Sequence, residues 1–340
     1  MPDAGEARLH LNENPYGPGR RVKDALRRTV AQAHLYPDLA SLRQDIGALW
    51  GVGPDDVAVG AGGDDILRRA VDATAGAVVS PWPSFGIYRM LAQARGRTFA
   101  TVDLDAGLAA DPGALAAAAE GQGRPGTILL ANPNNPTGGA RPRADYLAMA
   151  AALPGWLVVI DEAYGEFREE VEPTAGVRHW PPNVVVAKTF SKLQALAGLR
   201  VGYAVGPGWA LRAVSRLGDE MAVGTLAAAA ARAALADGAR LARVRAASLG
   251  RRRQLIAALS ARGFRAPPSQ TNFVLAMPPP GVDADELRQA LWREGIRTRR
   301  GADLGAPGHI RISLGSGPQQ RRLLATLDRL LARTPSRSEA

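Results

Sequence analysis

Thr189-Phe190-Ser191-Lys192-Leu193-Gln194-Ala195-Leu196-Ala197-Gly198-Leu199-Arg200-Val201-Gly202-Tyr203 is the stretch on which the reading of this chain turns. It sets Lys192 after one apolar run, Asn183–Ala187, and before an Ala/Leu/Gly stretch that leads into another, Val201–Val205. Thr189 and Ser191 offer hydroxyls and Arg200 a planar guanidinium, a set that suits a phosphate. A lysine desolvated there gives up its proton more readily and can attack a carbonyl as a free amine. The competing reading is a surface lysine beside a glycine-containing turn. Composition bears on the choice. Of 42 Lys+Arg in 340 residues, only Lys23, Lys188 and Lys192 are lysines. Such a chain keeps lysine where arginine cannot serve, and arginine does not lose its proton in proteins.

Outward from this stretch, seven short runs are mostly apolar on both parities: Asp56–Val59, Ala77–Ser80, Thr98–Val102, Thr127–Ala131, Leu157–Ile160, Asn183–Ala187 and Val201–Val205. That pattern predicts strands covered on both faces. Helix-like stretches at Asp64–Ala75, Ser84–Ala94, Pro112–Gly121 and Arg143–Ala152 separate most of them. The alternation predicts an α/β fold, a mainly parallel seven-stranded sheet with helices on both faces. From about Leu226 the texture changes. Ala227–Ala236 and Arg240–Arg262 read as helices. Then come a strand at Asn272–Ala276, a Pro278-Pro279-Pro280-Gly281 turn, a helix at Asp283–Glu294, strands at Ile296–Arg299 and His309–Leu314, and a helix at Pro318–Arg333. These predict a smaller α+β domain. The tail Thr334–Ala340 is expected to fray.

Four further segments carry chemistry. Asn132-Pro133-Asn134-Asn135-Pro136-Thr137-Gly138-Gly139 follows a strand end, the edge where open α/β sheets bind ligands. An ordinary turn is the alternative, and the density of asparagine favours a binding loop. Asp161, closing the run Leu157–Ile160, is costly there unless paired, so it needs a cationic partner or acts as a helix N-cap. Gly60-Ala61-Gly62-Gly63-Asp64-Asp65 leads into a helix whose free N–H groups can face an anion, although it fits neither the dinucleotide nor the P-loop pattern. Phe85, after the run Ala77–Ser80, can stack on a flat ring or fill the core.

Composition excludes much else. With no cysteine, thiol catalysis, disulfides, zinc–thiolate sites and iron–sulfur clusters drop out, and four scattered histidines argue against a metal site. At 46% hydrophobic and 22% charged, the chain is an ordinary globular one. The net charge of +10 is spread along the sequence without interleaved aromatics, so no nucleic-acid partner is expected. Proline breaks the uncharged stretches short of a membrane span, and the N-terminus lacks the features of a signal peptide. A cytoplasmic protein is expected.

In this order, the segments resemble a pyridoxal-phosphate enzyme of the aspartate-aminotransferase fold (fold type I), and above all the histidinol-phosphate aminotransferase family. The resemblance rests on Leu11-Asn12-Glu13-Asn14-Pro15-Tyr16-Gly17-Pro18, Tyr36-Pro37-Asp38, Asn132–Gly138, Asp161–Tyr164, Thr189–Arg200 and Ile310-Arg311-Ile312-Ser313-Leu314-Gly315, and runs from about Leu9 to Leu331. It implies a large cofactor-binding domain over residues 30–238 and a small domain from 1–29 and 239–340. It implies that Lys192 holds the cofactor covalently and shuttles the proton, that Asp161 keeps the pyridine nitrogen protonated, and that Asn135 and Tyr164 donate to the ring's phenolate oxygen. Phe85 stacks on the ring. The backbone of Gly63 and Asp64, the hydroxyls of Thr189 and Ser191, and Arg200 hold the phosphate, with Tyr36 reaching the phosphate in the neighbouring subunit of a homodimer with shared active sites. Arg311 and Arg299 grip acid groups of the substrate and Tyr16 closes over it.

The activity implied is transfer of an amino group between a small amine or amino acid, histidinol phosphate among them, and the 2-oxoglutarate/glutamate pair. Relatives usually carry more chain before Leu11, a segment that helps dimer packing, which bears on the substrate assignment. A decarboxylase of the threonine-phosphate type, or other Cα chemistry, remains open on the same scaffold. A non-catalytic ligand-sensing domain is the distant alternative; the DNA-binding module such regulators carry ahead of the fold is not expected here.

Overall fold

In the computed structural model, which describes residues 6–219 and 221–332, all seven apolar runs become strands of one sheet. The strands in chain order are β1 (Ala7–Leu9), β2 (Val57–Gly60), β3 (Val78–Trp82), β4 (Phe99–Asp103), β5 (Thr127–Ala131), β6 (Leu157–Asp161), β7 (Val184–Thr189), β8 (Gly202–Val205), β9 (Phe273–Ala276), β10 (Ile296–Arg300) and β11 (Ile310–Ser313). The large sheet runs β2-β8-β7-β6-β5-β3-β4. Only β8 opposes its neighbours, pairing antiparallel with β2 and β7. Every residue of β5, β6 and β7 is buried, as their double-sided apolar pattern requires. The edge strand β4 departs from that expectation and is only partly covered.

Strand alternation divides the core into two layers. Val158, Ile160, Val184 and Val186 point to one face, with Trp50 and Tyr146. Leu157, Val159, Val185 and Ala187 point to the other, with Ile66 and Tyr88. The helices between strands match the expected ones to within a few residues, except that the one expected from Ser84 is shorter, Ile87–Gln93. Helices Leu39–Trp50 and Trp209–Arg216 were not anticipated.

A second sheet, β1-β10-β11-β9, holds its own core of Leu9, Leu259, Ile296 and Leu323 under helices Gly238–Ser260, Ala284–Arg293 and Gly317–Leu331. Ser316 and Gln319 form a capping box that starts the last of these. It ends at Leu331, and the expectations for Arg333 and Thr334–Ala340 lie outside the described residues. Helix Arg20–Thr29, assigned by resemblance to the small domain, packs on helix Thr225–Leu235, and its Val22 joins the core of the large sheet.

Candidate active site

The parallel strands β5, β6 and β7 end together, and Ala131, Asp161 and Thr189 at those ends line a cavity of about 580 Å³. This volume lies in the range of small-molecule sites, at the sheet edge where such folds bind ligands.

Asp161 is buried in that cavity. Its Oδ2 accepts from the Tyr88 hydroxyl at 2.8 Å and its Oδ1 from the Ala163 N–H at 3.0 Å. No Lys, Arg or His pairs with it among the described residues. Burial pushes its pKa up to about 6, against the pull of those two donors. The helix N-cap alternative fails, since only a single 3₁₀ turn, Gly165–Phe167, follows. Tyr88 was missed in the sequence, yet it lies three residues after Phe85, which lines the cavity and meets the Tyr88 ring edge-on at 5.7 Å.

The glycine-rich turn after β2 brings the N-terminus of helix Gly63–Asp72 to the same cavity. Gly62 has φ 89°, and a Cβ there would stand 2.5 Å from Arg200 Nη2. Arg200 bonds Asp64 at 3.0 Å and itself holds a left-handed φ of 52°. Thr189 Oγ1 and Ser191 Oγ lie 2.9 Å apart beside it. The N-terminus of that helix, two hydroxyls and a guanidinium thus line the same cavity, a set that suits a phosphate.

Two lysines line the cavity, and their surroundings differ. Lys188, given no role from sequence, is buried in β7 and bridges Glu166 at 3.2 Å and Glu162 at 3.6 Å. Burial works against its charge, but the two carboxylates outweigh it and raise its pKa. Lys192 is half-buried rather than buried; Nζ reaches only the Leu11 carbonyl, at 3.3 Å, and no carboxylate pairs with it among the described residues. Its Nζ stands 5.6 Å from the centre of the Tyr164 ring.

The asparagine-rich loop divides its labour. Asn132 and Asn134 brace the backbone, donating to Arg141 O at 2.9 Å and Pro83 O at 3.0 Å. Asn135 reaches the cavity and accepts from Arg311 Nη1 at 2.7 Å. Arg311 is buried, with its other fork atom on His10 O at 2.7 Å and no carboxylate partner among the described residues, and burial lowers its pKa to about 10. Arg299, half-exposed, faces Asp303 at 3.6 Å on the cavity wall. Tyr164 is buried, and its hydroxyl accepts from Asn12 Nδ2 at 2.9 Å, a contact not read from sequence.

Two expected residues stand apart. Tyr16 does not line this cavity; its hydroxyl is bound to Arg251 Nε at 2.6 Å, on helix Gly238–Ser260. Tyr36 is 85% exposed and lies outside it as well.

Pyridoxal phosphate fits what remains. A buried carboxylate lacking a cation suits a protonated ring nitrogen, the Gly62–Arg200 cradle suits its phosphate, and an amine without a carboxylate suits its aldehyde. The family described as aminotransferase class I and II matches residues 6–330. A histidinol-phosphate aminotransferase of Anaeromyxobacter sp. is 37% identical over 333 residues, covering 96% of this chain and 91% of that protein. One from Symbiobacterium thermophilum is 36% identical over 326 residues, 94% and 89% of the two chains. The crystal structure of the Sinorhizobium meliloti histidinol-phosphate aminotransferase in complex with pyridoxal-5'-phosphate superposes with a TM-score of 0.87 at 30% identity, covering 96% of this chain and 91% of that one. The chain therefore belongs to the class I and II aminotransferases, pyridoxal-phosphate-dependent enzymes of fold type I, alongside the histidinol-phosphate aminotransferases.

Proposed function

We propose that the chain moves an amino group between a small amine carrying an acid group, histidinol phosphate foremost, and the 2-oxoglutarate/glutamate pair. The observation that carries the reading is the pairing, in one cavity, of a lysine with no carboxylate partner and a buried Asp161 with no cationic partner among the described residues. Bound pyridoxal phosphate supplies an electron-withdrawing ring that lets a bond at the amine-bearing carbon break. The chain's own residues do the rest. Lys192 Nζ anchors the cofactor and, when released, holds and returns the proton. Asp161 holds the ring nitrogen's proton by its charge. Asn135 and Tyr164 would donate to the ring oxygen, and Phe85 would stack on the ring. Gly63, Asp64, Thr189, Ser191 and Arg200 bind the phosphate.

Arg311 and Arg299 take the substrate's acid group, Arg311 because it is a buried guanidinium with neutral partners only. That pair favours a phosphorylated or carboxylated amine, and the curated relatives named for histidinol phosphate support the same choice. The enzyme acts in the cytoplasm as a homodimer; exposed Tyr36, with Val30 and Leu35 also exposed, offers the face a second copy covers.

Purified protein given the cofactor is expected to show a visible absorbance that Lys192→Ala abolishes; a colourless wild type overturns the reading. Converting the cofactor to its amine form with a panel of amines identifies the substrate. Carbon dioxide release without a keto acid overturns transamination.

A further inference from the structure

Asn12 lies outside any strand, is 1% exposed, and holds a left-handed φ of 55°. Four hydrogen bonds fix it. Its N–H donates to Ser313 Oγ at 2.9 Å, and Ser313 Oγ donates to its Oδ1 at 2.7 Å. Asn272 Nδ2 donates to its carbonyl at 3.0 Å, and its own Nδ2 donates to the Tyr164 hydroxyl oxygen at 2.9 Å.

Donor counting fixes the direction of the last bond. The Ser313 hydroxyl has one proton; it accepts from the Asn12 backbone and must place that proton on an acceptor. With the amide as described, Oδ1 takes it. With the amide turned over, the Ser313 hydroxyl, itself 1% exposed, faces two donors and has no acceptor. The amide NH₂ therefore faces Tyr164. Tyr164 accepts from it, and its own proton is left for the cavity that it lines.

We propose that Asn12 is a positioning residue: it keeps Tyr164 a hydrogen-bond donor toward the ring oxygen of the bound cofactor. The inference rests on the reading of Tyr164 given above. A carboxylate in place of the amide only accepts, so Asn12→Asp draws the Tyr164 proton away from the cavity. A donor to the ring oxygen stabilises its anionic form, so losing the donor shifts the pH midpoint of the cofactor's visible absorbance upward.

The test is that midpoint in wild type, Asn12→Asp, Tyr164→Phe and the double variant. Each single variant is expected to move it up by about one pH unit, the size of effect one such hydrogen bond gives. In the Tyr164→Phe background, Asn12→Asp is expected to add nothing, the coupling that a shared pathway requires. An Asn12→Asp midpoint equal to wild type while Tyr164→Phe shifts overturns the proposal and leaves Asn12 a structural residue. An equal Asn12→Asp shift in both backgrounds also overturns it, since the new charge then acts without Tyr164. A Tyr164→Phe midpoint equal to wild type overturns the underlying reading of Tyr164 instead. Should Asn12→Asp not fold, Asn12→Gly accepts the same φ, and its midpoint must also rise; an unchanged midpoint there overturns the proposal.

Discussion

Tyr88→Phe probes Asp161 without touching the cavity's shape. The substitution removes one hydroxyl, whose bond to Asp161 Oδ2 is 2.8 Å long and buried. Burial, then the neighbouring Asp161 charge, raises the pKa of Tyr88 well above that of an ordinary phenol, so it donates as a neutral group at any working pH. A hydrogen bond to a charged group contributes about 1.5–3 kcal/mol. Losing it from the ionised form alone raises the Asp161 pKa by roughly one to two units further. Asp161 already stands at about 6, above its ordinary 3.8.

The sign follows from proton counting. Between those two values the native cofactor-free protein holds a proton that the unfolded chain has lost, so stability falls as pH rises through this window and levels off above it. In Tyr88→Phe the fall continues upward for one to two more pH units. Urea unfolding of the cofactor-free protein, wild type against variant, reads this directly. The variant's deficit at about pH 8.5 should exceed its deficit at about pH 5 by roughly 1.5–3 kcal/mol. An equal deficit at both values refutes the reasoning, because Tyr88 then packs against Asp161 without favouring its charge.

Two other perturbations separate the parts of the site. Gly62→Ala places a Cβ 2.5 Å from Arg200 Nη2 at a left-handed φ of 89°. It should cost about 1–2 kcal/mol of stability and weaken cofactor binding by tenfold or more, measured by titrating cofactor-free protein; unchanged affinity removes Arg200 from the phosphate cradle. Lys188→Met strips Glu166 of its cation and leaves Glu162 with Arg143 alone, and thermal unfolding should report about 3 kcal/mol of lost stability. The visible absorbance per folded molecule should persist; its loss contradicts Lys192 as the sole anchoring amine.

β5, β6 and β7 were legible because they are mostly apolar on both parities, as a doubly covered strand requires; β4 was legible by the same pattern, although at the sheet edge it is only partly covered. β1 was not, since three residues show no period, and what makes Ala7–Leu9 a strand is pairing with β10, far along the chain. The sequence placed the asparagine-rich loop at a strand edge as a candidate binding loop, but only the structure separates Asn135, which lines the cavity, from Asn132 and Asn134, which hold the loop. Asn12 and Tyr164 are 152 residues apart, Tyr88 and Asp161 73, so neither bond has a local signature. The i, i+3 spacing of Phe85 and Tyr88 was the one available hint.

The end of β6 shows why the need for a cation at Asp161 could be read while its source could not. Asp161 closes β6 and Glu162 follows it directly, and the two side chains meet different partners. Around Glu162 the protein supplies two cations of its own. Arg143 bonds both carboxylate oxygens, at 2.7 and 2.9 Å, and Lys188 stands 3.6 Å away. Burial pushes Glu162 up, but these cations outweigh it and hold its pKa below the ordinary value. Around Asp161 the donors are a phenol and a backbone amide, enough to satisfy hydrogen bonding but not to balance a charge, and its pKa moves the other way. Two neighbouring carboxylates, both buried, thus differ because one set of cations is built into the fold and the other is withheld. A fold that also paired Asp161 would have no use for a protonated ring nitrogen. Withholding the cation leaves the Asp161 charge without a balancing partner among the described residues, and the function proposed for the site assigns that balance to a protonated cofactor pyridine.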